Sequence, residues 1–347
     1  MLVRAFFVWL AVLMGAAPAP AAAGERPVRL TVAASGDLLI HTPVAQRALS
    51  LGGGRRYNFA PLFAPVRPRI AGADLALCHM ETPLVPGPVQ GYPSFRTPPD
   101  LARSVREVGW DACSTASNHS LDAGQYGVGT TLRALQRAGV RAAGTARSAR
   151  ERGRTTMLRV RGLRVALLSY TAISNGQAIP NTWTVNWASP GLILADARRA
   201  RRRGARIVIV NLHWGTEYVQ PVTPPQRALA QRLTRSPAID AIVGQHVHVV
   251  QPIRWVNGKP VVFGEGNLIS NQTAACCSAA AQDGLIALFD FVVRPGRRVR
   301  APRIRYVPTW VRHPDYAVLP AAPGSPSWKR TVSVAGRRPG IAPLQPR

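Results

Sequence analysis

Residues 28–37 read VRLTVAASGD. Val28–Ala34 is mostly apolar and β-branched, which is typical of a short strand in a buried sheet. Gly36 and Asp37 follow, so a carboxylate comes just after this strand. In open α/β sheets, ligands bind outside the carboxyl ends of the strands. The stretch therefore predicts an α/β fold with a ligand site at a strand end.

The same pattern, a short β-branched run bounded by Gly, Asp, Asn or Ser, recurs along the chain. Further strands are predicted at Asp74–Leu77, Val165–Ser169, Ile207–Leu212, Ile239–Val243 and Val261–Phe263. Helices are expected between these strands, as in α/β proteins. No repeat or low-complexity linker interrupts residues 28–312, so one continuous α/β domain is predicted.

Two of the helices are predicted from their ends. Asp196–Arg203 should end at Gly204, with arginines where a helix dipole favours positive charge. A solvated helix end is the first interpretation of those arginines, and an anion site is the second. The other helix should begin after Thr223, because Pro224 and Gln226 complete a capping-box pattern.

The chain is strongly basic. Its 347 residues include 44 Lys and Arg against 16 Asp and Glu, a formal net charge of +28. Because 46% of the residues are hydrophobic and 17% are charged, a disordered polyelectrolyte is excluded. Only Lys259 and Lys329 are lysines. The high arginine content therefore indicates a bias in overall composition, and the individual arginines need not each have a function. Such a surface should attract phosphates or carboxylate polymers, more strongly at low salt.

The two ends of the chain differ from its middle. Residues 1–23 are predicted to be an export signal, with Arg4 as the lone charge, an apolar run at Ala5–Ala17 and small residues before Gly24. An uncleaved anchor is the alternative, although the run is shorter than the ~20 residues of a membrane span. The domain is predicted at 24–313, outside the cytoplasm, and residues 314–347 as a Pro- and Arg-rich tail that wraps the domain or hangs loose.

Four cysteines fit an oxidising compartment but are too few for a disulfide-built scaffold. Cys78 and Cys113 precede polar motifs on strands that could be neighbours. A bridge between them is one interpretation, and two buried free thiols are the other. The adjacent pair Cys276 and Cys277 is predicted to staple a loop through a partner that the sequence does not identify.

Polar residues that bind metals or move protons recur where strands end. They are Asp37 with His41, His79 with Glu81, Asn118 and His119 with Asp122, His213 with Glu217, and His246 with His248. A single histidine in such a place is more often structural, but five clusters should converge on one edge of the domain. Carboxylates, neutral imidazoles and an Asn carbonyl form a ligand set for Zn, Mn or Fe. On an extended segment, His246 and His248 would point to one face.

Single members of these clusters have simpler interpretations. Asp122 could charge a first helical turn, Glu217 could pair with an arginine, and His79 could face away from Glu81. His313, in the tail, is expected to be inert. The chain contains no Gly-x-Ser-x-Gly elbow and no Gly-rich phosphate loop.

The order Gly-Asp, Glu, Asn-His-x-x-Asp, His-x-Gly and Gly-x-His-x-His resembles the calcineurin-like metallophosphoesterases. Within them it is similar to the branch of the capsule-synthesis protein CapA, which is involved in bacterial poly-γ-glutamate. The stretches that carry this likeness are 79–83 (HMETP), 116–124 (ASNHSLDAG), 213–218 (HWGTEY), 244–251 (GQHVHVVQ) and 264–268 (GEGNL). The match spans about residues 30 to 272, in order, and the set is specific.

The resemblance implies a four-layer α/β/β/α sandwich that binds two divalent metal ions, Mn, Zn or Fe. The implied ligands are Asp37 and His248 for the first metal, Asn118, His213 and His246 for the second, and Glu81 between them. His119 would protonate the leaving oxygen or stabilise the phosphoryl oxygens, and Asp122 would orient it.

Two residues depart from the group's pattern. That pattern begins Gly-Asp-x-His, whereas residue 39 is Leu. His41, two positions further on, could substitute for the missing histidine if the chain bends. Glu81 stands where the wider group has a bridging aspartate, and its extra methylene would alter the metal spacing or the choice of metal.

The sequence therefore supports two functions. The first is an exported CapA-like protein of capsule or envelope-polymer synthesis that acts as a metal-dependent, phosphoesterase-like hydrolase on an anionic substrate. The second is a non-catalytic envelope protein that grips poly-γ-glutamate or a phosphate polymer. Leu39 favours the second function, and the retained Asn118–His119 pair favours the first. A capsule-synthesis membrane complex is a further expected partner, whereas nucleic acid is not, because basic strands interleaved with aromatics are absent.

Overall fold

A computed structural model describes residues 26–344 of the chain. The predicted export signal at residues 1–23 lies outside the described residues. Within the described range, no helix combines the length and the apolar character needed to cross a membrane.

Strands and helices alternate along most of the chain. The strands are β1 Val28–Leu38, β2 Leu75–Met80, β3 Ala112–Ser114, β4 Arg141–Ala143, β5 Thr156–Val160, β6 Leu163–Thr171, β7 Ile207–His213, β8 Ala241–Gln245, β9 Ile253–Val256, β10 Lys259–Val262, β11 Asn267–Ile269, β12 Asp283–Val293, β13 Arg303–Val311, β14 Val318–Pro320 and β15 Ile341–Pro343. The helices are α1 Thr42–Leu51, α2 Arg67–Ala71, α3 Asp100–Val108, α4 Gly124–Arg137, α5 Ala149–Arg152, α6 Pro190–Arg202, α7 Pro224–Thr234 and α8 Pro326–Ala335. Short 3₁₀ turns lie at Ala60–Phe63 and Ala279–Gln282.

The strands form two sheets. The first has the order β14-β13-β12-β1-β2-β3-β4, with β11 also paired to β1 and β15 to β13. The second has the order β5-β6-β7-β8-β10-β9. Strands β1 to β4 run parallel to one another, as do β6, β7, β8 and β10. The carboxyl ends of each parallel set therefore lie along one edge of its sheet.

Strand alternation builds the layers. In β1, Leu30 and Val32 point into an apolar core that both sheets share, whereas Ala33 points to the helices on the outer face. In β6, Leu167 points into the shared core and Ala166 to the outer helices. Helices α1, α3 and α4 cover the first sheet, and α6 and α7 cover the second. The predicted four-layer α/β/β/α sandwich is confirmed.

The predicted strands are all present, and their ends differ by a few residues. The first extends past Ala34 to Leu38, so Asp37 lies within β1 rather than after it. The capping box at Thr223 and Gln226 is confirmed. The predicted start at Asp196 is wrong, because α6 begins at Pro190 with Ser189 before it.

The cysteines pair locally. Cys78 and Cys113 are register partners on β2 and β3 and form a disulfide. Cys276 and Cys277 are bonded to each other. The free-thiol alternative for the first pair does not hold in this structure.

The C-terminal segment wraps the domain rather than hanging loose. Strands β14 and β15 both pair with β13. Helix α8 is tied to β12, because Ser327 donates to Asp283 Oδ1 at 2.6 Å and the Arg330 guanidinium contacts both oxygens of the same carboxylate. Residues 314–344 therefore belong to the packed body.

Candidate metal centre

Two glycines let the ligand-bearing stretches lie directly against neighbouring backbone. A Cβ on Gly36 would lie 2.0 Å from the carbonyl oxygen of Gly266, and the amide of Asp37 donates to that same oxygen at 3.0 Å. A Cβ on Gly244 would lie 1.9 Å from the carbonyl oxygen of Phe263. Because only glycine allows such approaches, these two positions determine where the ligands after them come to lie.

Two groups of buried side chains converge at the carboxyl ends of the parallel strands. The groups are Asp37, His79 and His213, and Glu81, His246 and His248. Within each group the ligand atoms all lie within 4.8 Å of one another. His248 joins the groups, because its Nδ1 lies 3.2 Å from Asp37 Oδ2 and its Nε2 lies 3.6 Å from Glu81 Oε1.

The donor atoms of these groups fit divalent metal ions. Both carboxylate oxygens of Asp37, both of Glu81 and Nδ1 of His246 are buried without a hydrogen-bond partner among the described residues. Buried carboxylates are costly unless they are paired or coordinate a metal. Their combination with several imidazoles is a nitrogen and oxygen ligand set suited to Zn, Mn or Fe.

The two histidines after β8 adopt a strained backbone. β8 ends at Gln245, and φ is +91° at His246 and +56° at His248. The prediction that they lie on an extended segment is therefore wrong, although their ring centroids still come within 6.1 Å. Non-glycine residues at positive φ cost free energy and cluster at functional sites.

A second set of polar residues borders the ligand groups. Asn118 Oδ1 lies 2.8 Å from His213 Nε2, while the Asn118 amide donates to Asn175. His119 Nδ1 lies 2.8 Å from Asp122 Oδ2. Asp122 precedes α4, so it orients His119 rather than charging a helical turn. The predicted acid and its partner are therefore in contact beside the ligands.

Most of the ligand imidazoles are held neutral. Burial lowers the pKa of His79 to about 4 and that of His246 to about 3. Burial and the neighbouring histidines lower the pKa of His213 well below its ordinary value. A neutral imidazole offers a lone pair, which is the form that binds a metal.

The pKa values of His248 and Glu81 are both raised, and the two groups influence each other. Burial lowers the pKa of His248, but the charges of Glu81 and Asp37 outweigh it and raise that pKa to about 9. Burial raises the pKa of Glu81 well above its ordinary value, against the opposing influence of His248. Whichever group holds the proton, the pair retains it at neutral pH, and a metal bound by both groups must displace it.

Metal binding is therefore expected to release about one proton from this pair at pH 7. Because the His248 pKa is raised to about 9, this release should fall away as the pH of the metal-free protein rises through that value. Calorimetric titration with Zn²⁺ in buffers of different ionisation enthalpy measures it. His41→Gln is the matched control, because burial lowers the His41 pKa to about 4 and it has no proton to lose. Binding without proton release at pH 7 would contradict this assignment.

The structure places two of the predicted histidines differently. β1 ends at Leu38 and His41 is the N-cap residue of α1, where its Nδ1 accepts from the backbone N–H of Asn271 at 3.2 Å. His41 is in neither ligand group, so its predicted substitution for the histidine missing at residue 39 is wrong. His79 does not face away from Glu81, since both belong to the ligand groups.

Glu217 and His313 complete the set of predicted polar residues. Glu217 Oε1 lies 4.0 Å from His248 Nε2, and its side chain is 42% exposed. It therefore faces the mouth of the site, and no arginine pairs with it among the described residues. His313 packs edge-on against Tyr316, away from both ligand groups.

A cationic cleft lies between the two sheets at their β4 and β5 edges. It measures about 450 Å³ and is lined by residues of β4, β5 and β6. Its arginines are Arg141, Arg147, Arg152, Arg154 and Arg199, and its acidic residues are Glu151 and Asp196. None of the predicted metal ligands lines it.

Comparison with solved structures identifies the architecture. A calcineurin-like phosphoesterase from Bacillus subtilis superposes with a TM-score of 0.50, covering 81% of this chain and 90% of that chain at 14% identity. The architecture is that of the calcineurin-like phosphoesterases. Within that class the family is also determined, because residues 31–272 match the family described as bacterial capsule synthesis protein PGA_cap. The chain belongs to this family.

Curated relatives agree with the family. The capsule biosynthesis protein CapA of Bacillus anthracis is 26% identical over 258 residues, which cover 70% of this chain and 60% of that protein. A probable polyglutamine synthesis accessory protein of Mycobacterium tuberculosis is 30% identical over 191 residues, which cover 51% of this chain and 50% of that protein. The matches thus span about half of these relatives' own length.

Proposed function

We propose that this protein is an exported accessory protein of capsule or poly-γ-glutamate synthesis and that it hydrolyses an anionic, phosphoester-like bond with the help of divalent metals. One observation carries the proposal. Among the described residues, the four carboxylate oxygens of Asp37 and Glu81 are buried without hydrogen-bond partners, next to imidazoles and next to the His119–Asp122 pair. The names of the relatives supply the polymer context, and the apolar run in residues 1–23 supports export.

The residues divide into metal holders and a proton donor. Asp37 and His248 would hold one ion, Asn118, His213 and His246 the other, and Glu81 would lie between them. Bound divalent ions would neutralise substrate oxygens and lower the pKa of a bound water.

His119 would act on the leaving group. Its Nδ1–H donates to Asp122 at 2.8 Å, which leaves Nε2 to carry a proton toward the substrate. Asp122 is itself held by the amide of Phe95 at 2.6 Å and by Gln177 at 2.8 Å. A fixed imidazole of this kind is suited to general acid catalysis.

Hydrolysis of a model phosphodiester tests the proposal. The full chain with Mn²⁺ or Zn²⁺ should hydrolyse bis(p-nitrophenyl) phosphate, and a chelator should abolish the reaction reversibly. Two metals bound with no turnover of any phosphoester or of poly-γ-glutamate would contradict the hydrolase. Appearance of the protein in the extracytoplasmic fraction tests the export.

The cationic cleft favours a second function, binding of an acidic polymer. Within it, Asp196 forms ion pairs with Arg152 and Arg199, and Glu151 forms one with Arg147. Among the described residues, no carboxylate lies within ion-pair distance of Arg141 or Arg154. These two guanidinium groups are exposed at the cleft and are available to carboxylates of a polymer.

Charge reversal at the cleft should weaken polymer binding. For Arg141→Glu/Arg154→Glu we expect roughly tenfold lower affinity for poly-γ-glutamate at low salt, about 1.4 kcal/mol, and a smaller salt dependence. The matched control is Arg227→Glu/Arg232→Glu, which makes the same charge change at exposed positions of α7. Affinity is measured by fluorescence anisotropy across a salt series. Equal losses in both variants would show that net charge, and not the cleft, binds the polymer.

A further inference from the structure

His79 belongs to a buried hydrogen-bonded relay that runs from the backbone of β2 to Asn118. Ser114 Oγ donates to the carbonyl oxygen of Cys78 at 3.2 Å, and His79 Nδ1 lies 2.8 Å from Ser114 Oγ. His79 Nε2 lies 3.0 Å from His213 Nδ1, and His213 Nε2 lies 2.8 Å from Asn118 Oδ1. The side chains of His79 and His213 are fully buried.

The two ends of the relay determine where its protons lie. A serine hydroxyl has one proton to donate. We assign the Ser114 proton to the Cys78 carbonyl, so that the Ser114 oxygen accepts from His79 and His79 carries its proton on Nδ1. At the other end, the Asn118 amide nitrogen donates to Asn175 Oδ1 at 3.0 Å, so the Asn118 oxygen is the atom that faces His213.

With the Ser114 proton assigned in this way, the middle of the relay has one arrangement. His79 Nε2 is a lone pair, and it needs a donor at 3.0 Å, which His213 Nδ1–H supplies. His213 Nε2 is left as a second lone pair, 2.8 Å from the lone pairs of Asn118 Oδ1. Two acceptors at that separation repel each other unless they share a cation, and such a spacing suits two ligands of one metal ion.

We propose that His79 is a positioning residue that sets the tautomer of His213, so that His213 Nε2 and Asn118 Oδ1 face the same metal ion. A ligand histidine commonly donates its second ring N–H to a neighbouring acceptor, which fixes the tautomer and the ring orientation. Here the acceptor is another imidazole, itself fixed by Ser114. The inference rests on the proposed metal site, and it assigns His79 a role through His213 rather than as a ligand.

Nitrogen NMR of the histidine rings tests the relay without any turnover. In the metal-free full chain, both His79 and His213 should carry their proton on Nδ1. Zn²⁺ should then shift His213 Nε2 strongly and leave His79 Nε2 as a hydrogen-bond acceptor. A His213 proton on Nε2, or direct binding of Zn²⁺ to His79 Nε2, would overturn the proposal. Because the tautomers are read before metal is added, this test stands even if the proposed hydrolase activity fails.

Variants of His79 give the second readout. His79→Phe should weaken one of the two Zn²⁺ sites by about 10- to 100-fold, while His79→Gln, whose amide oxygen can accept from His213, should recover most of the loss. Ser114→Ala keeps the His79 imidazole but removes the hydroxyl that fixes its tautomer. It should lower the Zn²⁺ affinity less than His79→Phe does and should leave His79 as a mixture of tautomers. This variant replaces His79→Phe in the test if His79→Phe does not fold. Wild-type affinity in both His79→Phe and Ser114→Ala would overturn the proposal.

Discussion

Replacing His119 by alanine is expected to lower kcat for a phosphodiester with a poor leaving group by about 10²- to 10³-fold, with no change in bound metal. The reason is the position of its ring, which contacts Asp122 through Nδ1 at 2.8 Å and belongs to neither ligand group. The loss should come from the missing proton donor alone.

The choice of leaving group separates this role from a structural one. A p-nitrophenolate leaves without protonation, so His119→Ala should cost far less on that substrate than on an alkyl phosphodiester. Asp122→Asn is the matched control, because it keeps the size of the side chain and should give an intermediate loss. Equal losses on both substrates, or loss of metal from His119→Ala, would contradict the assignment of His119 as the acid.

Replacing Glu81 by glutamine is expected to have two opposite effects. Metal affinity should fall by about 100-fold or more, because the carboxylate between the two sites is removed. The metal-free protein should become more stable, because burial and the nearby Asp37 carboxylate both disfavour the charged form of Glu81 and raise its pKa, while Asp37 remains 3.2 Å from His248 to compensate that imidazole. A buried carboxylate without a compensating cation lowers the stability of the metal-free protein. Such a loss of stability is common at functional sites.

Thermal unfolding with and without Zn²⁺ measures both effects of Glu81→Gln in one experiment. Glu217→Gln is the control, since Glu217 also faces His248, at 4.0 Å, but is 42% exposed. Glu217→Gln should change neither the metal affinity nor the stability of the metal-free protein by much. A destabilised metal-free Glu81→Gln protein, or one that keeps wild-type metal affinity, would contradict the role given to Glu81.

The fold was largely accessible to sequence reasoning because its strands are short, β-branched runs bounded by turn residues. Successive side chains within each strand point to opposite faces of the sheet and so form the layers. Val32 and Ala33, for example, point to opposite faces of β1. Helix starts were harder to place. The start of α6 was mispredicted because Ser189–Pro190, an ordinary start signal, was overlooked in favour of the arginine-rich end.

The site was predicted less completely, and for local reasons. His246 and His248 do converge, but through positive φ angles after β8 that no alternation rule foresees. His41 failed as a substitute because the strand ends at Leu38, before the alternation can reach it. The sequence pairs His79 with Glu81, and their spacing of two near the end of β2 is typical of residues on one face, but no sequence pattern indicates the contact between His79 and His213.

Metal content tests the central claim most directly. The full chain, stripped and then reloaded with Mn²⁺ or Zn²⁺, should retain about two equivalents after desalting, as measured by elemental analysis, and Asn118→Ala/His246→Ala should retain fewer. Failure of the wild-type chain to retain any metal from excess would contradict the metal centre and the hydrolase that depends on it, and would leave the binding of an acidic polymer as the function.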